Sequence, residues 1–269
     1  MRRHAFRLAG SIAIVLTLVF GTRAASRRIL FPTHDLHRHE AGEGVIRHAL
    51  TAADGVAVHA LELPAPPGAP TVVHFHNNRE TVEACLDFAG ELRARGLGVL
   101  LVEYRGYGVS ADASPSEEGL YLDAEAGLAM LAARGIGPER IILSGMSLGT
   151  GVAAEMAERK HGSRLLLVAP YTSIPDLVTD VAPFVPASAL LPDHFETLEK
   201  ARSIDLPTLV VHGDDDEIVP FWMGERLSKE IPRAHLLRVN GGHHGDLFVR
   251  DRQRILEAIS DLAGLDRAT

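Results

Sequence analysis

Residues 141–149 read Ile141-Ile142-Leu143-Ser144-Gly145-Met146-Ser147-Leu148-Gly149. A short apolar run enters from the left, and a stretch rich in small residues leaves to the right. This spacing predicts a strand over Arg140–Ser144, a helix over Leu148–His161, and a sharp turn between them that carries Ser147. A side chain at either flanking glycine of G-x-S-x-G would collide with the neighbouring strand or helix. The turn lifts the Ser147 hydroxyl clear of the sheet and sets it at a helix N-terminus, where the Leu148 amide can face a developing negative charge. Gly151, Ala153 and Ala154 keep the helix slim enough for close packing. The motif is short, and a glycine-rich turn without chemistry is the alternative. The strand before it and the slim helix after it favour the chemical reading.

Outward from this turn the chain alternates between short apolar runs and longer helical patterns. Val45–Leu50 and Val56–Leu63 read as a hairpin around Asp54-Gly55, and the 64–70 stretch as a Pro/Gly loop. Further strands are expected at Thr71–His76, Leu97–Glu103, Arg164–Ala169, Leu206–His212 and His235–Val239. Helices are expected at Glu80–Arg95, Glu117–Arg134, Trp222–Ile231 and Leu247–Leu262. Strands alternating with helices imply βαβ units, hence an α/β fold with a mostly parallel sheet and helices on both faces. One stretch breaks the rhythm. Residues 171–203 contain Pro175, Pro183, Pro186 and Pro192 among apolar residues, and are expected as a small lid inserted between two strands.

A serine nucleophile needs a general base and a group to orient it. In such sheets the chain order is serine, acid, histidine. Two loops downstream of apolar strands fit: His212-Gly213-Asp214-Asp215-Asp216-Glu217 and Asn240-Gly241-Gly242-His243-His244-Gly245-Asp246. The order Ser147, Asp216, His244 satisfies the rule, but order alone leaves Asp214 and Asp215 open as the acid and His243 open as the base. The loop after Thr71–His76 is expected to supply a second oxyanion donor, the backbone N–H of Asn78, beside that of Leu148.

Four stretches together resemble the alpha/beta-hydrolase superfamily, close to the membrane-associated serine hydrolases that include protein depalmitoylases. His76-Asn77-Asn78-Arg79-Glu80 is similar to that family's H-G-N-A-G/E loop. Glu103-Tyr104-Arg105-Gly106-Tyr107-Gly108-Val109-Ser110 is similar to its D/E-Y-R-G-Y-G-x-S turn, continued by Pro115-Ser116-Glu117 and Asp123-Ala124. The elbow is the third. In the fourth, His212-Gly213-x-x-Asp216-x-x-Val219-Pro220 selects Asp216, and the ending through Asp246 selects His244. Asn77 stands where the family has glycine. The resemblance implies an alpha/beta-hydrolase domain over residues 45–265 and acyl transfer to water, with ester, thioester or lipid-linked acyl substrates and no cofactor or metal.

The rest of the chain narrows the class. With 46% hydrophobic and 23% charged residues, disordered and low-complexity architectures are excluded. A net charge of −8, with no Lys/Arg block beyond the extreme N-terminus, argues against a nucleic-acid partner. Arg2, Arg3 and Arg7 precede an apolar run from Leu8 to Phe20, shorter than the ~20 residues of a spanning helix. Residues 1–25 therefore read as a signal peptide or N-terminal membrane anchor, with Thr22 and Ala24 at the −3 and −1 positions of a cleavage site. Residues 26–44 read as a linker, and the product as exported or held at a membrane. His34, His37 and His39 have metal-like spacing but sit in that polar stretch. His74 and His76 share a strand face with no acid beside them in sequence, which disfavours a metallohydrolase. Cys85 reads as core. Tyr104 and Tyr107 read as supports of a tight turn. A serine peptidase, or a binding protein without catalysis, is the alternative on the same fold.

Overall fold

A computed structural model describes residues 25–33, 44–110 and 113–265. Eight strands form one sheet in the order β1-β2-β4-β3-β5-β6-β7-β8. They are β1 (Ile46–Thr51), β2 (Ala57–Leu63), β3 (Thr71–Phe75), β4 (Gly98–Val102), β5 (Ile141–Met146), β6 (Arg164–Val168), β7 (Thr208–Gly213) and β8 (Ala234–Val239). The hairpin β1–β2 joins β4 antiparallel, and every other pairing is parallel.

Period-two alternation divides the apolar side chains between two cores. On β4, Leu100 and Val102 enter one and Val99 and Leu101 the other; on β6, Leu165 and Leu167 oppose Leu166 and Val168. Both faces of the central strands are buried, which is why their sequences are continuously apolar. The first core packs against α3 (Glu117–Ala133), α4 (Leu148–Glu158) and α8 (Phe221–Glu230). The second packs against α2 (Leu86–Ala94) and α10 (Arg252–Ala263).

Three short helices, α5 (Ile174–Val181), α6 (Ala187–Leu190) and α7 (Thr197–Ala201), stand between β6 and β7, in the stretch expected to leave the sheet. Ser173 caps α5 by accepting from the Asp176 amide at 3.0 Å.

Three local expectations are corrected. The helix expected from Glu80 opens as a 3-10 turn over Val82–Cys85 before α2 begins. The helix expected over Leu247–Leu262 is two, α9 (Leu247–Arg250) and α10, separated at Asp251, whose φ of −135° leaves the helical region. No glycine or proline marks that break. The third concerns the stretch read as linker. Residues 25–30 form a helix, α1, and Phe31 is buried in the first core. Arg27 forms an ion pair with the buried Asp193 at 2.7 Å, and the Leu30 carbonyl accepts from the Asn78 side chain at 2.9 Å. Residues 1–24, and His34, His37 and His39, lie outside the described residues.

Candidate active site

Ser147 links β5 to α4 with φ 49° and ψ −116°, a strained conformation for a residue with a side chain. Its amide donates to the Val168 carbonyl at 2.9 Å, and its carbonyl accepts from the Thr150 amide at 2.9 Å and hydroxyl at 2.6 Å. Both elbow glycines are steric requirements. A Cβ on Gly145 would lie 2.2 Å from the Gly149 carbonyl oxygen, and one on Gly149 would lie 2.0 Å from that of Phe75. The second contact brings the end of β3, and the loop after it, against the start of α4. Leu148 opens α4, so its N–H is one of the four without an acceptor inside the helix.

Asp216 and His244 are delivered by neighbouring strands. β7 and β8 run in register to Gly213 opposite Val239, and the loops beyond stay together. The Asp215 amide donates to the Gly242 carbonyl at 3.1 Å, while Asp214 pairs with Arg238 and accepts from the Gly241 amide. Across this junction His244 Nδ1 meets Asp216 at 2.8 and 3.1 Å. His244 Nε2 lies 3.0 Å from Ser147 Oγ. Of the residues the order rule left open, the structure brings Asp216 and His244 together with Ser147. His243 is exposed and faces Glu217 at 3.2 Å, and Asp214 faces Arg238.

The Asp216 side chain is fully buried. Oδ1 accepts from the Ile218 and Val219 amides at 2.9 and 2.8 Å. Burial works against its charge, but bonds from His212 and His244 outweigh it and hold the carboxyl well below the usual carboxylate range. His212, a residue without an assigned role in the sequence reading, supports Asp216 from behind. Its Nε2 donates to the Val219 carbonyl at 2.9 Å and lies 3.4 Å from Asp216 Oδ2.

The loop expected to carry the second oxyanion donor follows β3. Asn77, in the family's glycine position, is absent from the positive-φ residues, so no left-handed geometry is demanded of it. Its side chain instead accepts from the Arg79 amide at 2.7 Å. His74 and His76 do not act as a pair. β3 ends at Phe75, His74 meets Ser144 Oγ at 2.9 Å, and His76 Nε2 lies 3.0 Å from Glu103. The acidic partner missing from the neighbouring sequence thus comes from the end of β4. Among the described residues no group of three or more His, Cys, Asp or Glu is placed to hold a metal ion. Cys85 is buried. The 104–108 turn is pinned by Arg105, which holds the buried Asp123 through Nε and Nη2 at 3.0 and 2.8 Å and reaches Asp54 as well. Tyr104 and Tyr107 are fully buried, as supports would be.

The buried His74 carries a pH signature. Burial, helped by nearby His76, pulls its pKa down to about 3, whereas an unfolded histidine titrates near 6.5. The unfolded chain therefore binds the proton first, and stability falls with pH over that window. Between pH 6.5 and 5 we expect a loss of about 2 kcal/mol. Asp216 contributes with the acid pattern, lost only below about pH 4, near the unfolded carboxylate value. Urea unfolding at the two pH values in wild type and His74→Leu checks this: a slope that persists unchanged in the variant contradicts the assignment.

A family profile described as serine aminopeptidase, S33, matches residues 67–198, and one described as TAP-like protein matches residues 192–261. A putative alpha/beta hydrolase of Acanthamoeba polyphaga mimivirus is 31% identical over 194 residues, 70% of this chain and 72% of that protein. The chain belongs to the alpha/beta-hydrolase superfamily. An uncharacterized protein of Mycobacterium tuberculosis is 34% identical over 211 residues, 77% of this chain and 74% of the relative. Human alpha/beta hydrolase domain-containing protein 17C is 31% identical over 206 residues, 73% of this chain but only 60% of the human protein. An esterase of Pyrococcus furiosus superposes with a TM-score of 0.69 at 17% identity, covering 87% of this chain and 98% of its own. For an alpha/beta hydrolase, a buried serine–histidine contact at the elbow is the arrangement of a serine hydrolase.

Proposed function

We propose that this alpha/beta hydrolase cleaves carboxylic ester or thioester bonds through an acyl-enzyme on Ser147. One observation carries the reading: an unbroken hydrogen-bond chain from Asp216 through His244 to Ser147 Oγ. Because Asp216 accepts at Nδ1, the imidazole keeps its proton there and offers the Nε2 lone pair to the serine hydroxyl. Oγ attacks the carbonyl carbon as its proton passes to Nε2. The tetrahedral oxyanion lies against the N–H groups of Leu148 and Asn78. Its collapse breaks the bond to the alcohol or thiol, which leaves with the proton from Nε2. Water, deprotonated by the same nitrogen, then releases the acid and restores Ser147.

The substrate class is a small-molecule or lipid-linked acyl compound. A cavity beside Met146, the residue preceding Ser147, is lined by Cys85, Phe88, Val168 and Phe248, with His74 and Glu80 also on its wall. Helices α5–α7 serve as the lid; Val181 and Phe184 on it are exposed. The N-terminal segment extends the reading to an exported or membrane-attached enzyme, checked by the mass of the mature N-terminus. Among the described residues no helix is long and apolar enough to cross a membrane.

A fluorophosphonate probe tests the chemistry. The folded protein should take up one label, and peptide mass spectrometry should place it on Ser147. A folded protein that stays unlabelled overturns the reading. Cleavage of aminoacyl amides with esters untouched replaces it with a peptidase.

A further inference from the structure

The two motifs that precede the elbow in the chain, His76-Asn77-Asn78 and Glu103-Tyr104-Arg105-Gly106-Tyr107, are one device. Parallel pairing of β3 with β4 sets Phe75 opposite Val102, so the next residue of each strand, His76 and Glu103, emerge side by side. Both are fully buried, with Nε2 3.0 Å from the carboxylate. The other ring nitrogen, Nδ1, donates to the Asn77 carbonyl at 2.7 Å. The carbonyls on either side are also taken: that of His76 by the Tyr104 hydroxyl at 3.1 Å, and that of Asn78 by the Tyr107 hydroxyl at 3.3 Å. The imidazole ring packs on the Tyr104 ring at 4.2 Å and meets the edge of Tyr107 at 5.2 Å between centroids. Three successive carbonyls of the loop are therefore each held by a buried side chain.

The middle one matters most. The Asn77 carbonyl and the Asn78 N–H belong to the same planar trans peptide and point in opposite directions. Whatever fixes the carbonyl fixes the N–H. We propose that His76, oriented by Glu103 and framed by Tyr104 and Tyr107, is the positioning residue that aims the Asn78 N–H into the oxyanion site. A carbonyl only accepts, so Nδ1 must carry a proton. With Nε2 set against the Glu103 carboxylate, a half-turn of the ring would put carbon where both nitrogens now lie, so the ring is held in this orientation. The device rests on the hydrolase reading above, since it acts through the oxyanion.

The test is steady-state ester hydrolysis by the full chain, with each kcat divided by the titre of reactive Ser147. A merely structural role lowers the titre and leaves kcat per site unchanged. Glu103→Ala should lower kcat per site by about 10- to 100-fold with KM nearly constant, the scale of a displaced oxyanion donor. Glu103→Gln, whose amide can donate to Nε2 while Nδ1 keeps its proton, should restore most of it. If Glu103→Ala does not fold, Tyr104→Phe decides, because it deletes one hydroxyl from a packed ring; about a fivefold fall in kcat per site is expected. Wild-type kcat per site in the folded variants, against an active wild type, overturns the positioning role and leaves the hydrolase reading intact. A wild type that turns over no ester while folded removes the hydrolase reading itself, and this role with it.

Discussion

Replacing Ser147 by alanine should abolish ester turnover, with kcat falling by roughly 10⁶-fold, the scale seen when the nucleophile of a triad is removed. The fold should be indifferent to the change. Among the described residues the Oγ atom bonds to His244, while the elbow is held by the Ser147 amide and carbonyl, which alanine retains. The positive φ of 49° is no worse for alanine than for serine, so the melting temperature should stay within about 2 °C, well below the several degrees that 1 kcal/mol would produce. Residual activity should approach that of an oxyanion site acting on water alone, about 10³- to 10⁴-fold over the uncatalysed reaction. Purified variant and wild type, assayed on the same ester with intact mass confirming the substitution, give the measurement. Turnover that survives in Ser147→Ala moves the chemistry elsewhere in the molecule.

What was legible in the sequence follows the range of the interactions. Ser147 is readable because its constraints are local: two glycines four residues apart, a strand before and small residues after. The fold is readable because strands buried on both faces must be apolar throughout. Asp216 and His244 are readable as loops after such strands. The choice between His243 and His244 is not, since both lie in one turn. The two part only in the folded loop, where Asp246 accepts from the His243 amide at 2.7 Å and Glu217 meets the His243 ring, while His244 faces Asp216 and Ser147. Glu103 stood in plain view in its motif, but its partner is 27 positions away, and only the β3–β4 register joins them. The packing of α1 was hidden for the opposite reason. Its paired arginines suit a linker, and it is attached by the buried Phe31, the Arg27 ion pair to Asp193 and the Asn78 bond to the Leu30 carbonyl. The break at Asp251 has no local breaker residue at all.

Asp216→Asn is expected to cost about 10⁴-fold in kcat, as an orienting acid does when only its charge and proton-accepting edge are changed. The local bonds dictate how the new side chain sits. Oδ1 is claimed by the Ile218 and Val219 amides, so the asparagine oxygen stays there and its NH₂ turns to His244 Nδ1. A donor now faces that nitrogen. The imidazole must present a lone pair at Nδ1 and carry its proton on Nε2, where it donates to Ser147 Oγ instead of accepting from it. The base is then in the wrong tautomer, although every heavy atom has stayed in place. Asp214→Asn is the matched control. Asp214 bonds to Arg238 at the surface, an exposed pair of the kind worth about 1 kcal/mol or less, and its loss should leave kcat within about twofold. If both variants lost activity alike, the acid loop would be acting as a rigid whole and Asp216 would have no special claim. A large loss at 216 with none at 214 ties the loss of turnover to the proton at one edge of one imidazole.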